Sequence, residues 1–213
     1  MAEVVSDPPM SPSPSRPPLK RPAYLVVALL LVWIVGLVGA TQGCQTVEIL
    51  HRPEVARSEN NRGTDAEITR RGGALIDVVL AFRSTVTPLA VGQLLLASVL
   101  TLSAGLTLLG RGHARQLAIQ AMIVYALFLP VDYLVRRPMR AVTIDAFAEG
   151  TTFPPGVASP ELADQRVLLW WIFRVALGLQ LVILTLGLVA ITRPRVRAFF
   201  DAMAGDGPRE LEP

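Results

Sequence analysis

Twenty-six consecutive residues, Val167 to Thr192, carry a single charge, Arg174. As a helix rising ~1.5 Å per residue they reach roughly 39 Å, more than the ~30 Å hydrocarbon core of a bilayer. Trp170 and Trp171 stand at one end, where amphipathic rings favour the headgroup level, and Arg193, Arg195 and Arg197 close the other. The segment reads as a transmembrane helix with an arginine inside it, so the rest of the chain has to fold with lipid as part of its solvent.

Composition points the same way. Hydrophobic residues make up 52% of the 213, more than soluble domains usually carry. The net charge of +3 is spread over both tails and every loop, a pattern of membrane-flanking charge rather than a nucleic-acid patch, and no nucleic-acid partner is expected. Lys20 is the only lysine beside nineteen arginines; such a bias goes with GC-rich codons and points to a bacterial source and an inner membrane. Cys44 is the only cysteine, so no intrachain disulfide can form.

Three further apolar runs cover about 24–43, 86–109 and 116–135, which with 167–192 gives an all-α membrane protein of four transmembrane helices. Residues 1–22 hold seven prolines among serines and read as a disordered tail, or as a Pro-rich segment for a partner domain. Residues 23–192 form the transmembrane domain and 193–213 a second tail. The first run has an alternative: Val38-Gly39-Ala40 resembles a signal-peptidase site and Cys44 an acylated lipoprotein cysteine, although Thr41 stands where such signals carry leucine.

The polar segment after Gln45 ends in Thr64-Asp65-Ala66-Glu67, a capping box that predicts a helix start. That helix is amphipathic, with Ile68, Leu75, Val79, Phe82 and Val86 on one face, and Pro88 is expected to kink it or divide it from the second span. Residues 136–166 form a second long loop whose end, Ser159-Pro160-Glu161, again reads as a helix start. Both loops thus contain membrane-proximal helix starts. Past Pro194, the residues Val196, Phe199, Phe200 and Met203 share a face, which suits a short amphipathic helix on the membrane surface or packed on the end of the bundle. Leu50-His51-Arg52-Pro53 resembles Val135-Arg136-Arg137-Pro138, and Phe82-Arg83 resembles Phe173-Arg174; the four spans are either two tandem hairpins of about 85 residues or the product of arginine-biased coincidence.

Basic residues flank the spans unevenly. Lys20 and Arg21, the 111–115 turn and the three arginines after the fourth span favour both termini in the cytoplasm, with both long loops extracytoplasmic; Arg136 and Arg137 oppose this. In that topology Gln93, Asp132 and Arg174 share one third of the membrane. A charge at the bilayer centre costs roughly 2.5–3.5 kcal/mol, so Asp132 and Arg174 are expected to pair, with Gln93 or Tyr125 as a further partner and Gly178 clearing the approach. The alternative has Arg174 snorkelling past Trp170 to the headgroups. Small residues at Gly36, Ala40, Ala97, Thr101 and Gly105 predict close helix contacts, within the chain or in a homo-oligomer.

Catalytic motifs are missing. His51 and His113 fall on opposite sides of the membrane, Glu48, Glu54, Glu59, Asp145 and Glu149 lack metal-loop spacing, and no hydrolase or phosphate-binding signature occurs. No catalytic residue, cofactor or metal is therefore expected. The sequence supports a non-enzymatic membrane component that assembles with other membrane proteins in the lipid bilayer. The alternatives are a small transporter or channel subunit using Gln93, Tyr125, Asp132 and Arg174, and a membrane-embedded enzyme.

Overall fold

The computed structural model describes residues 22–61, 66–149 and 160–205. The Pro-rich tail, the Thr64 cap, the Ser159 cap and residues 206–213 lie outside them. The described residues form helices α1 (Ala23–His51), α2 (Pro53–Asn60), α3 (Ala66–Ala81), α4 (Arg83–Leu108), α5 (Gly112–Val135), α6 (Arg137–Glu149), α7 (Pro160–Thr192) and α8 (Pro194–Gly205), with no strand among them. Four of these, α1, α4, α5 and α7, are long and apolar enough to cross a membrane, as fits a multi-pass membrane protein.

The four spans form a square in which α1 packs on α4, α4 on α5, α5 on α7 and α7 back on α1. Lipid gives apolar helices little reason to prefer one another, so contact depends on how closely their backbones approach. At Gly36 a Cβ would lie 3.1 Å from the Thr101 nitrogen and 3.2 Å from the Ala97 carbonyl, and at Gly43 only 2.9 Å from the Leu94 nitrogen. Glycine there lets α1 lie directly on the α4 backbone. The small residues Gly36 and Ala97 therefore meet each other within one chain.

The start of α1 and the end of α7 share one end of the bundle, where the Arg193 guanidinium sits 5.1 Å over the Tyr24 ring. This tail end is tightly filled: Leu29, Leu100, Met122, Leu184 and Ile191 are all less than 2% exposed. Of the two placements open to α8, the fold uses packing on the bundle. Val196, Phe199 and Phe200 are buried in the same core, the two rings edge-to-face with centroids 5.4 Å apart.

The opposite end is capped by α2, α3 and α6. Here three expectations change. First, α1 continues eight residues past Gly43 to His51, because polar residues mark where a helix leaves the apolar zone without breaking it. Its break comes at Arg52 (φ −135°, ψ 64°), where the following Pro53 disfavours helical backbone. Second, the division before the second span falls at Phe82 (φ −99°, ψ 20°), and Pro88 lies inside α4. The elbow at Phe82 lets Val79 and Val86 enter one buried cluster with Leu50 and Ala90. Third, residues 137–149 of the second loop are helical. Pro138 sits in the first turn of α6, where a missing N–H costs nothing, and Ile144 is buried while α6 packs on α3. α7 is already helical at Pro160, the first residue described after 149.

Candidate functional site

At the capped end the four spans enclose a cavity of about 460 Å³. Leu75 and Val79 of α3 and Met139 and Thr143 of α6 line it from the cap, and Leu129 and Leu177 from α5 and α7. Gln42 and Gln45 on α1, and Ile172 and Ala176 on α7, line the cavity and are also exposed. The opening therefore faces sideways between α1 and α7.

A charged trio occupies the polar side. Asp132, Arg136 and Arg140 follow one another at four-residue spacing across the α5–α6 elbow. The elbow leaves them on one line, because the Arg136 N–H still reaches the Asp132 carbonyl (3.0 Å) and the Arg140 N–H the Arg136 carbonyl (2.9 Å). Asp132 Oδ1 lies 2.7 Å from Arg136 Nε, and Asp132 Oδ2 lies 3.6 Å from Arg140 Nη2. The three side chains are 12%, 13% and 17% exposed, so water screens the pairing only in part. The shorter contact is an ion pair without hydrogen-bond alignment, since neither Asp132 Oδ1 nor Arg136 Nε makes a hydrogen bond.

Each guanidinium is tied further into the frame. Arg136 Nη2 donates to Gln93 Oε1 (3.1 Å), and Gln93 Nε2 donates to Gln42 Oε1 (3.4 Å), which links the α5–α6 elbow to α4 and α1. Arg140 Nη1 donates to the Tyr133 carbonyl at 2.6 Å, and its guanidinium lies 4.4 Å over the Tyr133 ring and 5.6 Å from that of Phe173 on α7. Burial lowers the pKa of Arg140 while the charge of Asp132 raises it; a guanidinium stays protonated throughout. With one carboxylate against two guanidiniums, the trio is net positive by one.

Of the residues singled out from the sequence, Gln93 and Asp132 line this cavity. Tyr125 is buried deeper, 1% exposed, with its hydroxyl against Gly39 and its ring 6.4 Å from that of Phe128. Arg174 does not join Asp132. Its neighbour Phe173 faces the cavity, and the ~100° turn per helical residue carries Arg174 to the exposed side of α7, 5.7 Å from the Trp171 ring. Gly178 likewise clears no approach, for nothing lies within 4 Å of a Cβ built there. Asp132 takes its cations from one helical turn and two turns further along its own chain.

Among the described residues no group of three or more His, Cys, Asp or Glu side chains is placed to hold a metal ion. His51 and Cys44 are exposed on α1. No protein-family model, curated protein or solved structure matches the chain. The chemistry of the cavity has to be read from its own walls: two fixed cations, one carboxylate, several amides, and an apolar flank on α7.

Proposed function

We propose that this is a non-enzymatic, ligand-binding subunit of a membrane transport assembly, with the capped-end cavity as its binding site. The observation that supports this reading is the Asp132–Arg136–Gln93 network on the wall of a cavity with an opening. A bundle built only for stability would fill that volume with side chains at close-packed density. Ligand sites instead combine apolar walls with a few placed polar groups.

Leu100, Met122, Tyr125 and Leu184 are all buried in the tail half, and in this reading movement of a ligand across the membrane involves a second copy or another membrane protein. Assembly with such a partner through the lipid-facing spans is part of the proposal. In this reading both termini are cytoplasmic, the capped end faces the outside of a bacterial inner membrane, and the spans derive from two tandem hairpins. The last point has support in the two elbows: Arg52 and Arg136 each end a span directly before a short helix of the cap.

Native mass spectrometry of the full chain in mild detergent tests the proposal. The expected result is a retained small molecule or lipid that is lost from Ala176→Trp, which fills the cavity mouth, together with a co-purifying second copy or membrane partner. A bare monomer with no retained mass would remove both parts of the reading.

A further inference from the structure

We infer that the cavity binds the phosphate or carboxylate of a net anionic amphiphile that enters sideways between α1 and α7. This rests on the cavity being a ligand site and names the class of ligand it takes.

Charge is the first argument. Arg136 and Arg140 both line the cavity, Asp132 is its one carboxylate among the described lining residues, and all three side chains are at most 17% exposed. One positive charge is left without a counter-charge among the described lining residues, in surroundings where low exposure makes an unpaired charge costly. A cation entering the same space meets two guanidiniums before the carboxylate they already hold. An anion meets the opposite sign.

Donor geometry is the second. A guanidinium carries five N–H donors in a planar fork suited to oxyanions. Arg136 sets Nε against Asp132 without a hydrogen bond and gives Nη2 to Gln93, and Arg140 gives Nη1 to the Tyr133 carbonyl and turns Nη2 to Asp132. Nη1 of Arg136 and Nε of Arg140 have no acceptor among the described residues. The amides of Gln45 on α1 and Gln180 on α7 also line the cavity and supply further N–H groups.

The third is the shape of the remainder. A phosphate or carboxylate on the two arginines would occupy only a small part of about 460 Å³. Ile172, Phe173, Ala176 and Leu177 line the α7 side, and Ile172 is 52% exposed at the mouth. Apolar wall leading from a cationic pocket to a lipid-facing opening fits an acyl or isoprenoid chain attached to the anionic group, and the same wall offers a free inorganic ion nothing.

The test uses the full chain in phosphatidylcholine nanodiscs containing an equal share of phosphatidylglycerol, with protein-retained lipid counted by native mass spectrometry. A parallel sample holds phosphatidylcholine and inorganic phosphate only. Wild type is expected to retain phosphatidylglycerol over phosphatidylcholine by about tenfold, and Arg136→Gln or Arg140→Gln to lose about tenfold, the scale of one charge-assisted hydrogen bond. Arg136→Lys should keep most of the preference and Arg174→Gln all of it. Asp132→Asn removes the competing carboxylate and should raise the preference, a gain that a misfolded variant cannot mimic. Phosphate binding without lipid preference would assign the site to a soluble oxyanion and overturn the amphiphile. Equal retention of both lipids with no phosphate binding would overturn selection for a net negative headgroup, since phosphatidylcholine carries the same phosphodiester beside an ammonium; a ligand still retained by wild type and lost from Ala176→Trp would then leave the binding-subunit reading standing.

Discussion

At the tail end α1, α4, α5 and α7 close on Leu29, Leu100, Met122 and Leu184, while at the capped end the same four helices part around Gln93, Asp132, Arg136 and Arg140. The first region is held by side-chain packing and a returned helix, the second by ion pairs, amides and the three helices of the cap. One half of the bundle supplies rigidity and so allows the other to stay open. Glycine joins the two: Gly36 and Gly43 both hold α1 against α4, so the opening at the capped end is not a failure of these two helices to approach.

If that division is right, equal truncations in the two halves have unequal costs. Leu100→Ala, at a site with no exposure, should lower stability by about 3 kcal/mol because it opens a void in a close-packed region. Leu177→Ala borders a cavity that already exists and should cost less than about 1 kcal/mol. Thermal unfolding in one detergent measures both, and matching losses would erase the distinction between the halves.

Charge removal probes the open half more finely. Asp132→Asn leaves Arg136 and Arg140 facing each other without their shared anion. A loss of about 2 kcal/mol is expected, below the ~3–5 kcal/mol of a fully enclosed pair because the cavity is open at one side. Added salt should recover part of it by screening the two guanidiniums, whereas a salt-independent loss would place the trio in a dry interior.

The smallest effect discriminates most sharply between partners. A double-mutant cycle on Asp132→Asn and Arg136→Gln should return a coupling of about 1 kcal/mol, and the cycle on Asp132→Asn and Arg174→Leu less than about 0.5 kcal/mol. The reverse order would restore Arg174 as the partner of Asp132. Arg174→Leu alone should change stability by less than about 0.5 kcal/mol, as expected of an exposed side chain with no polar partner among the described residues.

Much of the frame was legible in the sequence, because a span is a property of a continuous run and needs no knowledge of its neighbours. The α1–α4 contact was legible for a similar reason: Gly36 and Ala97 announce close approach whichever helix arrives. Sequence reasoning did less well at the capped end. Polarity from Gln45 to Asn61 and the proline at 138 read as loop, although proline in a first helical turn and polar residues on a water-facing helix are both compatible with helical backbone. The site was half visible. Gln93 and Asp132 stand out as polar residues in apolar spans, but depth matching led to Arg174, and depth carries no information about which way a side chain points. The signal that identifies the true partners was local: Asp132, Arg136 and Arg140 at i, i+4 and i+8, the spacing at which helical charges meet. It was hidden by treating Arg136 as the membrane boundary.

The open capped half is tested most directly by thiol chemistry in membranes. In a Cys44→Ser background, Leu129→Cys places a thiol on the cavity wall and Ala121→Cys places one two turns away in the tail-half core. A small membrane-impermeant methanethiosulfonate should modify position 129 and leave position 121 untouched, and an anionic sulfonate reagent should react faster than a cationic ammonium one. If 129 proves as inert as 121, or if both react alike, the cavity is not the water-reached, positively biased chamber described above.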